Sequence, residues 1–420
     1  MTEREPLPTE PYKGVRDFYP ADWAVLSSVF ATLRTQLGLW GYEEYAASPL
    51  ERAELYEAKT SEEIVSEQTY TFEDRGGRRV TLRPEMTPSL ARMVAAKRRE
   101  LPLPLRWFSI GNRFRYERPQ RGRSREFFQA DVDLLGILAS DADLEVVTLA
   151  DRCLKAFGAT GTEYEMRINS RKLLTAACEA AGLSADATKT YLRLLDKKDK
   201  IDAETFSAGV AELTATDPLS LIENDDARIA PFKTELLAQI AELKARGVES
   251  AVFSPTLTRG FDYYTGLTFE AFDTHPDNPR AILGGGRYDR LLELFGSELI
   301  PAVGFAIGVQ TLMDFLETHT LTPSVGSPAD IYLGTPTEQD IPAAETVAEL
   351  FRKQGVRSFV NLTGKSLGDQ VKDADRRGIP YFAAYGFEER DSGLLKVKEL
   401  STGTVSEVGI DEATRLILRK

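Results

Sequence analysis

A dense cluster of arginines is the first feature of this sequence with clear chemical potential. Residues 106–125 contain seven arginines, no lysine and a single acidic residue, Glu117. The guanidinium group is planar, permanently charged and able to grip phosphate oxygens in bidentate fashion, whereas lysine would serve as well for solubility alone. The cluster therefore predicts a polyphosphate site, and the simpler alternative is an exposed charged hairpin.

Residues 106–135 alternate between polar and apolar side chains, which predicts two strands joined by a basic loop. One polar face carries Arg115 and Glu117 from the first strand, with Phe127 opposite them on the second. An arginine can hold a phosphate, a phenylalanine can stack on a base, and a glutamate can accept a hydrogen bond from an adenine amino group. This face therefore indicates a nucleotide site.

The same face offers partners for a second ligand. Gln129, Asp131 and Asp133 share its parity, and Glu85 comes just before the point where a strand passes into a helix at Thr87. Each residue alone could belong to a satisfied buried polar pair. A face with both cations and anions, however, suits a zwitterion such as an amino acid.

Two glycine-containing stretches add candidates. The segment TRGFDYYTG places Arg259, Tyr263 and Tyr264 close together, although a tight turn with aromatic packing would use the same residues. The segment GGGRYD, which contains Tyr288, could be a phosphate loop. It lacks both the G-x-G-x-x-G and the G-K-[ST] forms, so this signal is weak alone.

The scarce residues exclude whole mechanisms. The chain has two histidines, His275 and His319, and two cysteines, Cys153 and Cys178. A zinc cage or a Ser-His-Asp relay needs more histidines or cysteines, so arginines and carboxylates must carry any chemistry.

The net charge of −13 argues against a nonspecific nucleic-acid binder. No apolar run approaches the roughly 20 residues of a membrane span, and the polar N-terminus has no signal-peptide core, so we expect a cytoplasmic protein without a membrane partner.

The elements that must position these residues fall into two domains. Residues 22–40 predict an amphipathic helix with Asp22 as N-cap, which either packs in the core or forms a dimer seam. Residues 168–250 predict a helical insertion, and residues 320–330 are a linker by composition. Alternating strands and helices then predict a small α/β domain with a mostly parallel sheet. We therefore predict domains at 1–325 and 328–420.

At this point the sequence resembles a known family. FRYERPQRGRSREFFQ resembles motif 2 of class II aminoacyl-tRNA synthetases, while TLRPEMTP, LTRGFDYYTG and GGGRYD resemble signatures of histidyl-tRNA synthetases. The resemblance runs from about Gly14 to the C-terminus. It implies an α+β fold: an antiparallel sheet flanked by helices, the insertion, and an anticodon-binding domain at 328–420. It also implies a homodimer through residues 22–50.

The implied activity is ATP-dependent conversion of L-histidine to histidyl-adenylate and transfer to the 3′ end of tRNA(His), with release of AMP and pyrophosphate. Mg²⁺ is expected with the ATP, and no metal site of the protein itself is predicted. Arg115 would hold the α-phosphate and the histidine carboxylate, and Arg259 would stabilise charge on the α-phosphorus. Asp133 and Tyr264 would hydrogen-bond the two imidazole nitrogens. The other implied ATP-binding residues are Glu117, Arg123 and Phe127, and the other histidine-binding residues are Glu85, Met86, Thr87, Gln129, Tyr263 and Tyr288.

The chain departs from the family pattern twice. Asp133 stands where a longer acidic side chain is usual. Gln310 and Thr311 stand where motif 3 normally carries Glu-Arg, an arginine that covers the adenine and the distal phosphate. We hypothesise that another arginine, such as Arg121 or Arg125, compensates for the missing motif 3 arginine.

The missing motif 3 arginine also keeps an alternative open. The regulatory subunit of ATP phosphoribosyltransferase is a noncatalytic relative that senses histidine on the same fold. The intact arginine of TRGFDYY and the C-terminal α/β domain, which that subunit lacks, favour the synthetase.

Overall fold

A computed structural model describes residues 7–57, 68–120, 122–259, 263–296 and 298–419. The chain forms two units, Met1–Pro323 and Ser324–Lys420, and each is described by itself. Arg121 and residues 260–262 of the TRGFDYYTG segment lie outside the described residues.

An eight-stranded sheet forms the centre of the N-terminal unit. The outer pairs β1–β5 and β7–β8 are parallel, and the pairs between them are antiparallel. In spatial order, its strands are β1 (Glu43–Glu44), β5 (Leu105–Phe114), β6 (Glu126–Leu135), β11 (Ala302–Gly308), β10 (Ala281–Arg287), β9 (Leu267–Asp273), β7 (Tyr164–Ser170) and β8 (Ala251–Phe253). A smaller sheet has the order β2 (Leu50–Arg52), β4 (Arg79–Leu82) and β3 (Tyr70–Glu73).

The alternation in β6 separates core from site, because successive side chains of a strand point to opposite faces. Ala130, Val132 and Leu134 belong to the main hydrophobic core. The intervening polar residues line a cavity on the other face of the sheet. The predicted assignment of the two faces of this strand is confirmed.

Helices cover the apolar face of the main sheet. Residues of α1, α4, α5 and α10 join the core beneath the strands, since each helix buries one apolar stripe. The helices of this unit are α1 (Pro20–Leu39), α2 (Ala53–Glu57), α3 (Thr87–Ala96), α4 (Asp141–Lys155), α5 (Arg171–Ala180), α6 (Ala185–Leu195), α7 (Ala203–Leu213), α8 (Pro218–Glu223), α9 (Ala230–Ala245) and α10 (Val309–Thr318), with 3₁₀ turns at Lys198–Lys200 and Leu291–Phe295.

The predicted N-cap of α1 is wrong by one turn. Tyr19 is the N-cap, and Pro20 occupies the first helical position, where its missing N–H leaves no orphan donor. Asp22 lies inside the first turn instead, where its negative charge faces the positive end of the helix dipole.

The C-terminal unit is a five-stranded sheet between helices. Ile331 and Leu333 pack towards α11 and α14, whereas Tyr332 between them packs towards α12. In spatial order, the strands are β13 (Ser358–Val360), β12 (Ile331–Gly334), β14 (Tyr381–Ala384), β15 (Leu395–Glu399) and β16 (Val405–Val408), the first three parallel and the rest antiparallel. The helices are α11 (Ile341–Lys353), α12 (Leu367–Arg376), α13 (Phe387–Ser392) and α14 (Ile410–Leu418), with a 3₁₀ turn at Glu338–Asp340.

Among the described residues, no helix is both long enough and apolar enough to cross a lipid bilayer.

Candidate active site

A cavity of about 700 Å³ opens on the polar face of β6, β9, β10 and β11. Its floor consists partly of glycines. A Cβ added to Gly284 would collide with the guanidinium of Arg259, and one added to Gly304 would collide with the carboxylate of Asp133. The glycine-rich segment at 284–286 therefore forms a strand over which side chains lie, and its interpretation as a phosphate loop is wrong.

Asp133 forms the deep acidic end of the cavity. Its Oδ1 accepts a hydrogen bond from the Tyr288 hydroxyl, and its buried Oδ2 has no hydrogen-bond partner among the described residues. Removal from water disfavours the charged form, so burial raises the pKa of Asp133 to about 8. A buried polar oxygen without a partner is costly, and this carboxyl group is ready to bind a polar group of a ligand.

Glu85 provides a second buried carboxylate at the turn before α3. The Tyr263 hydroxyl donates to Glu85 Oε2 at 3.3 Å, and the Tyr56 hydroxyl donates to the Glu85 carbonyl at 3.3 Å. The Arg115 Nε donates to the carbonyl of Pro84 at 2.9 Å, so the same turn is tied to the end of β5. These bonds hold Glu85 and Thr87 in the cavity wall.

Arg259 lies above the strand floor with 15% of its side chain exposed. Its Nη1 is 3.1 Å from Glu270 Oε1, yet neither Nε nor Nη1 is aligned for a hydrogen bond with any described residue. Its guanidinium also lies 5.5 Å from the centre of the Tyr264 ring. Burial acts to lower the pKa of Arg259, but Tyr264 and Glu270 outweigh it and the pKa is raised, so the group stays cationic.

The opposite end of the cavity is lined by Arg115, Glu117, Arg123 and Phe127. Arg123 Nε forms an ion pair with Glu117 Oε2 at 3.0 Å. The Arg115 guanidinium lies 5.3 Å from the centre of the Phe127 ring. We call these four residues the arginine end. It combines cations for phosphate with an aromatic face and a carboxylate.

The structure brings twelve of the thirteen predicted site residues to the cavity wall: Glu85, Thr87, Arg115, Glu117, Arg123, Phe127, Gln129, Asp133, Arg259, Tyr263, Tyr264 and Tyr288. The exception is Met86, whose side chain does not line the described cavity, and its role in binding histidine stays a prediction. Met86 is fully buried and its sulfur faces Arg83 Nη1 at 3.8 Å, because the turn points alternate side chains away from the cavity.

Arg125 does not line this cavity, so the hypothesis that it replaces the motif 3 arginine is wrong. Its guanidinium stacks 3.8 Å from the Tyr116 ring centre and donates to the Tyr12 hydroxyl at 3.0 Å. Arg125 lies before the first residue of β6, where strand alternation does not yet fix its direction. Arg121, the other candidate, is outside the described residues.

The sequence analysis missed five charged residues in the described cavity wall: Arg167, Asp196, Lys200, Glu270 and Arg280. Glu270 had a detectable signal, because its neighbours Phe269 and Ala271 are core residues and its parity on β9 points the other way. Arg280 precedes β10 in a segment without a recognisable motif. Gln310 and Thr311 also reach the cavity, where the Thr311 hydroxyl donates to the Gly308 carbonyl at 2.9 Å.

Both histidines lie outside the described wall of the cavity. Their ring centres are 6.5 Å apart, and His319 Nε2 is 2.8 Å from Asp273 Oδ1. The described cavity wall contains the arginines and carboxylates to which the composition assigns any chemistry, and it contains tyrosines as well.

Comparisons with known proteins agree with this geometry. Residues 14–312 match a family model described as histidyl-tRNA synthetase, and residues 331–420 match an anticodon binding domain. The histidine–tRNA ligase of Leptospira biflexa is 37% identical over 99% of this chain and 98% of its own length. That of Halobacterium salinarum is 35% identical over 93% of this chain and 94% of its own.

Solved structures give the same fold. The histidyl-tRNA synthetase of Nostoc sp. PCC 7120 covers 98% of this chain and 99% of its own, with a TM-score of 0.79 at 22% identity. An ATP phosphoribosyltransferase regulatory subunit/histidyl-tRNA synthetase from Bacillus halodurans C covers 91% of this chain and 98% of its own, with a TM-score of 0.73 at 24% identity. The predicted α+β synthetase fold is confirmed. The family-model match and the two ligases of 35–37% identity show that the chain belongs to the histidyl-tRNA synthetase family.

Proposed function

We propose that the cavity divides histidine activation between an end that binds the amino acid and an end that binds ATP. The chain converts histidine and ATP into histidyl-adenylate and pyrophosphate, then transfers the histidyl group to tRNA(His) and releases AMP. The observation that carries the division of roles is that Oδ2 of buried Asp133, which has no hydrogen-bond partner among the described residues, faces the same cavity as five arginines. One end suits an imidazole, and the other suits phosphates.

At the histidine end, Asp133 and Tyr264 bind the two ring nitrogens, and Tyr288 holds the Asp133 carboxylate in place. An acceptor and a hydroxyl on opposite sides of a ring select imidazole, because most other side chains would leave one of them unpaired. The α-amino group lies with Glu85, Thr87 and Gln129, and Tyr263 lines the pocket beside them.

At the arginine end, Arg115 binds the α-phosphate and the histidine carboxylate, which brings the two reacting groups together. Phe127 stacks on adenine, Glu117 accepts from its amino group, and Arg123 binds the distal phosphates. The ion pair between Arg123 and Glu117 supports this arrangement, since it orients both side chains before ATP arrives.

The chemical step is a displacement at phosphorus. A histidine carboxylate oxygen forms a bond to the α-phosphorus, the bond to the bridging oxygen breaks, and pyrophosphate leaves with that electron pair. No protein nucleophile takes part, so the enzyme contributes positioning and charge stabilisation. Arg259 supplies the charge stabilisation, because its Nε and Nη1 donors have no aligned hydrogen-bond partner within the described protein.

Mg²⁺ accompanies the ATP in this proposal. The described residues contain no cluster of three or more His, Cys, Asp or Glu side chains that could hold a metal ion. Mg²⁺ commonly combines one or two carboxylates with substrate phosphate oxygens, so ATP itself would provide most of its ligands. When bound, the ion would neutralise charge on the departing pyrophosphate.

The C-terminal unit reads the anticodon of tRNA(His), in keeping with the description of its family model. We also propose a cytoplasmic homodimer that forms through residues 22–50. Leu39 at the end of α1 is 77% exposed and Leu50 is 48% exposed, and β1 leaves one edge of the main sheet open nearby. Apolar side chains and an open strand edge are features that an interface covers.

The regulatory alternative has one observation in its favour, the threonine at position 311 in place of the motif 3 arginine. Two observations oppose it. Arg259 is held over the glycine floor in a position to act on a reacting group, and residues 331–420 match an anticodon binding domain.

Histidine-dependent ATP–pyrophosphate exchange tests the proposed function. Purified protein should exchange labelled pyrophosphate into ATP when histidine is present. It should not do so when glutamine or asparagine replaces histidine, because their side-chain amides do not match the ring nitrogens. Charging of a tRNA(His) transcript tests the second step. Histidine binding without any exchange at saturating ATP would favour the regulatory alternative.

A further inference from the structure

Arg280 reaches the arginine end of the cavity from a direction that no sequence motif marks. It immediately precedes β10, and its half-buried side chain lines the cavity together with Arg123 and Thr311. A Cβ built on Gly122 would lie 3.0 Å from Arg280 Cδ and 3.5 Å from Thr311 Cγ2. The side chains of Arg280 and Thr311 therefore meet the same point of the basic loop.

The charges around Arg280 leave it without a neutralising partner. Arg123 is paired with Glu117 at 3.0 Å, whereas Arg280 has no acidic side chain within ion-pair distance among the described residues. Burial, followed by the charge of Arg123, lowers the pKa of Arg280, yet a guanidinium remains protonated in proteins. Two guanidiniums thus face one carboxylate, which leaves a net positive site.

A half-buried cation that repels its neighbour is unfavourable in the free protein. Such a group gains most from an anion that enters the cavity and contacts both guanidiniums, because charge-assisted hydrogen bonds are strong there. An extended polyanion fits this requirement better than a single carboxylate. Arg280 and Arg123 line the same cavity as Arg115, which the proposed function assigns to the α-phosphate.

We infer that Arg280 binds the terminal phosphates of ATP and takes the place of the arginine that is missing at position 311. The inference rests on the proposed function and deepens it, since it assigns the distal phosphate site to a residue outside the family motifs. Arg280 is a substrate-binding residue in this scheme. Because Thr311 is shorter than an arginine, it leaves space that the Arg280 side chain occupies.

The first experiment compares Arg280→Ala with a matched control, Arg290→Ala. Arg290 belongs to the same unit, is exposed, and among the described residues forms an ion pair only with Glu293, at 2.9 Å. Loss of a charge-assisted contact should raise the KM for ATP by roughly 10- to 100-fold. The KM for histidine should stay within about twofold, and the control should match the wild type. An unchanged KM for ATP in Arg280→Ala would overturn the inference.

Binding measurements separate phosphate recognition from a general structural role. By calorimetry, Arg280→Ala should bind ATP and tripolyphosphate more weakly but should bind AMP as the wild type does. Equal weakening of AMP and ATP would assign Arg280 to the architecture of the site. These measurements do not require turnover, so they test Arg280 even if pyrophosphate exchange fails and the proposed function falls.

A positional swap completes the design. Arg280→Ala combined with Thr311→Arg should restore most of the ATP affinity, because both side chains reach the same point beside Gly122. Arg280→Lys, which keeps the charge and the packing of the stem, should give an intermediate affinity and covers the case in which the alanine variant does not fold. A double variant as weak as Arg280→Ala, together with a lysine variant equal to wild type, would overturn the inference.

Discussion

Replacing Arg259 with alanine is expected to slow adenylate formation by about 100- to 1,000-fold, mainly in kcat. The donors Nε and Nη1 have no aligned hydrogen-bond partner in the part of the chain that the structure describes, and only 15% of the side chain is exposed. They are therefore available to the charge that develops on the α-phosphoryl oxygens. Because water is largely excluded around them, their effect on the transition state is strong.

The size of this effect follows from comparable sites. Removing one preorganised donor to a developing oxyanion costs about 2.7–4 kcal/mol, and each ~1.36 kcal/mol corresponds to a factor of ten in rate. The same substitution removes from the partly buried Glu270 carboxylate the one cation that lies within ion-pair distance among the described residues. Burial already raises the pKa of Glu270, so the orphaned group would destabilise the fold as well.

A double variant separates catalysis from folding. Arg259→Ala with Glu270→Gln removes the orphaned charge, and Glu270→Gln alone is the matched control. Single-turnover adenylate formation at saturating ATP and histidine reports the chemical step, and thermal unfolding reports the fold. If the double variant is folded and its rate lies within about threefold of the control, Arg259 does not stabilise the transition state.

Gly284→Ala should abolish pyrophosphate exchange, because the added methyl group overlaps the Arg259 guanidinium; activity above about a tenth of wild type would contradict this. Asp133→Asn should abolish exchange and also remove a pH-dependent loss of stability. The pKa of Asp133 is raised to about 8. The contribution of this group to the free energy of unfolding is therefore fully present below about pH 4 and is lost as the pH rises towards 8. Near pH 8 the histidine-free Asn variant should thus be more stable than wild type by a few kcal/mol, and parallel Tm profiles would refute this. Leu39→Asp should convert the proposed homodimer to monomer in light scattering, since a charge replaces an exposed apolar contact; an unchanged dimer mass would exclude this end of α1 from the interface.

Strand alternation explains why much of the site could be predicted. Once β6 was identified, its period of two separated Asp133 and Gln129 from the core residues between them. Arg115 and Glu117 follow β5 closely enough to keep their predicted direction. The C-terminal sheet could be predicted equally well, because a chain of alternating strands and helices is compatible with few fold classes.

The directions of site residues in turns and loops could not be predicted in the same way. Met86 shares a short motif with Glu85 and Thr87, but the chain reverses there and the middle side chain points into the core. Arg125 was expected near phosphate, yet packing on Tyr116 and Tyr12 directs it elsewhere. Arg280 could not be found from its local sequence, since only the pairing of β10 with β11 brings it beside Thr311.

The position of the two histidines has a practical consequence for following this reaction. The chain's own imidazoles lie together outside the described cavity wall, so a substrate imidazole would enter a site free of protein imidazoles. With isotope-labelled histidine as substrate, ring NMR signals would stand against a background of two protein residues. The tautomer and protonation of the bound ring, which Asp133 controls in the proposed mechanism, could then be read during turnover. Reagents that modify imidazole would reach His275, which is 43% exposed, without touching the reacting groups.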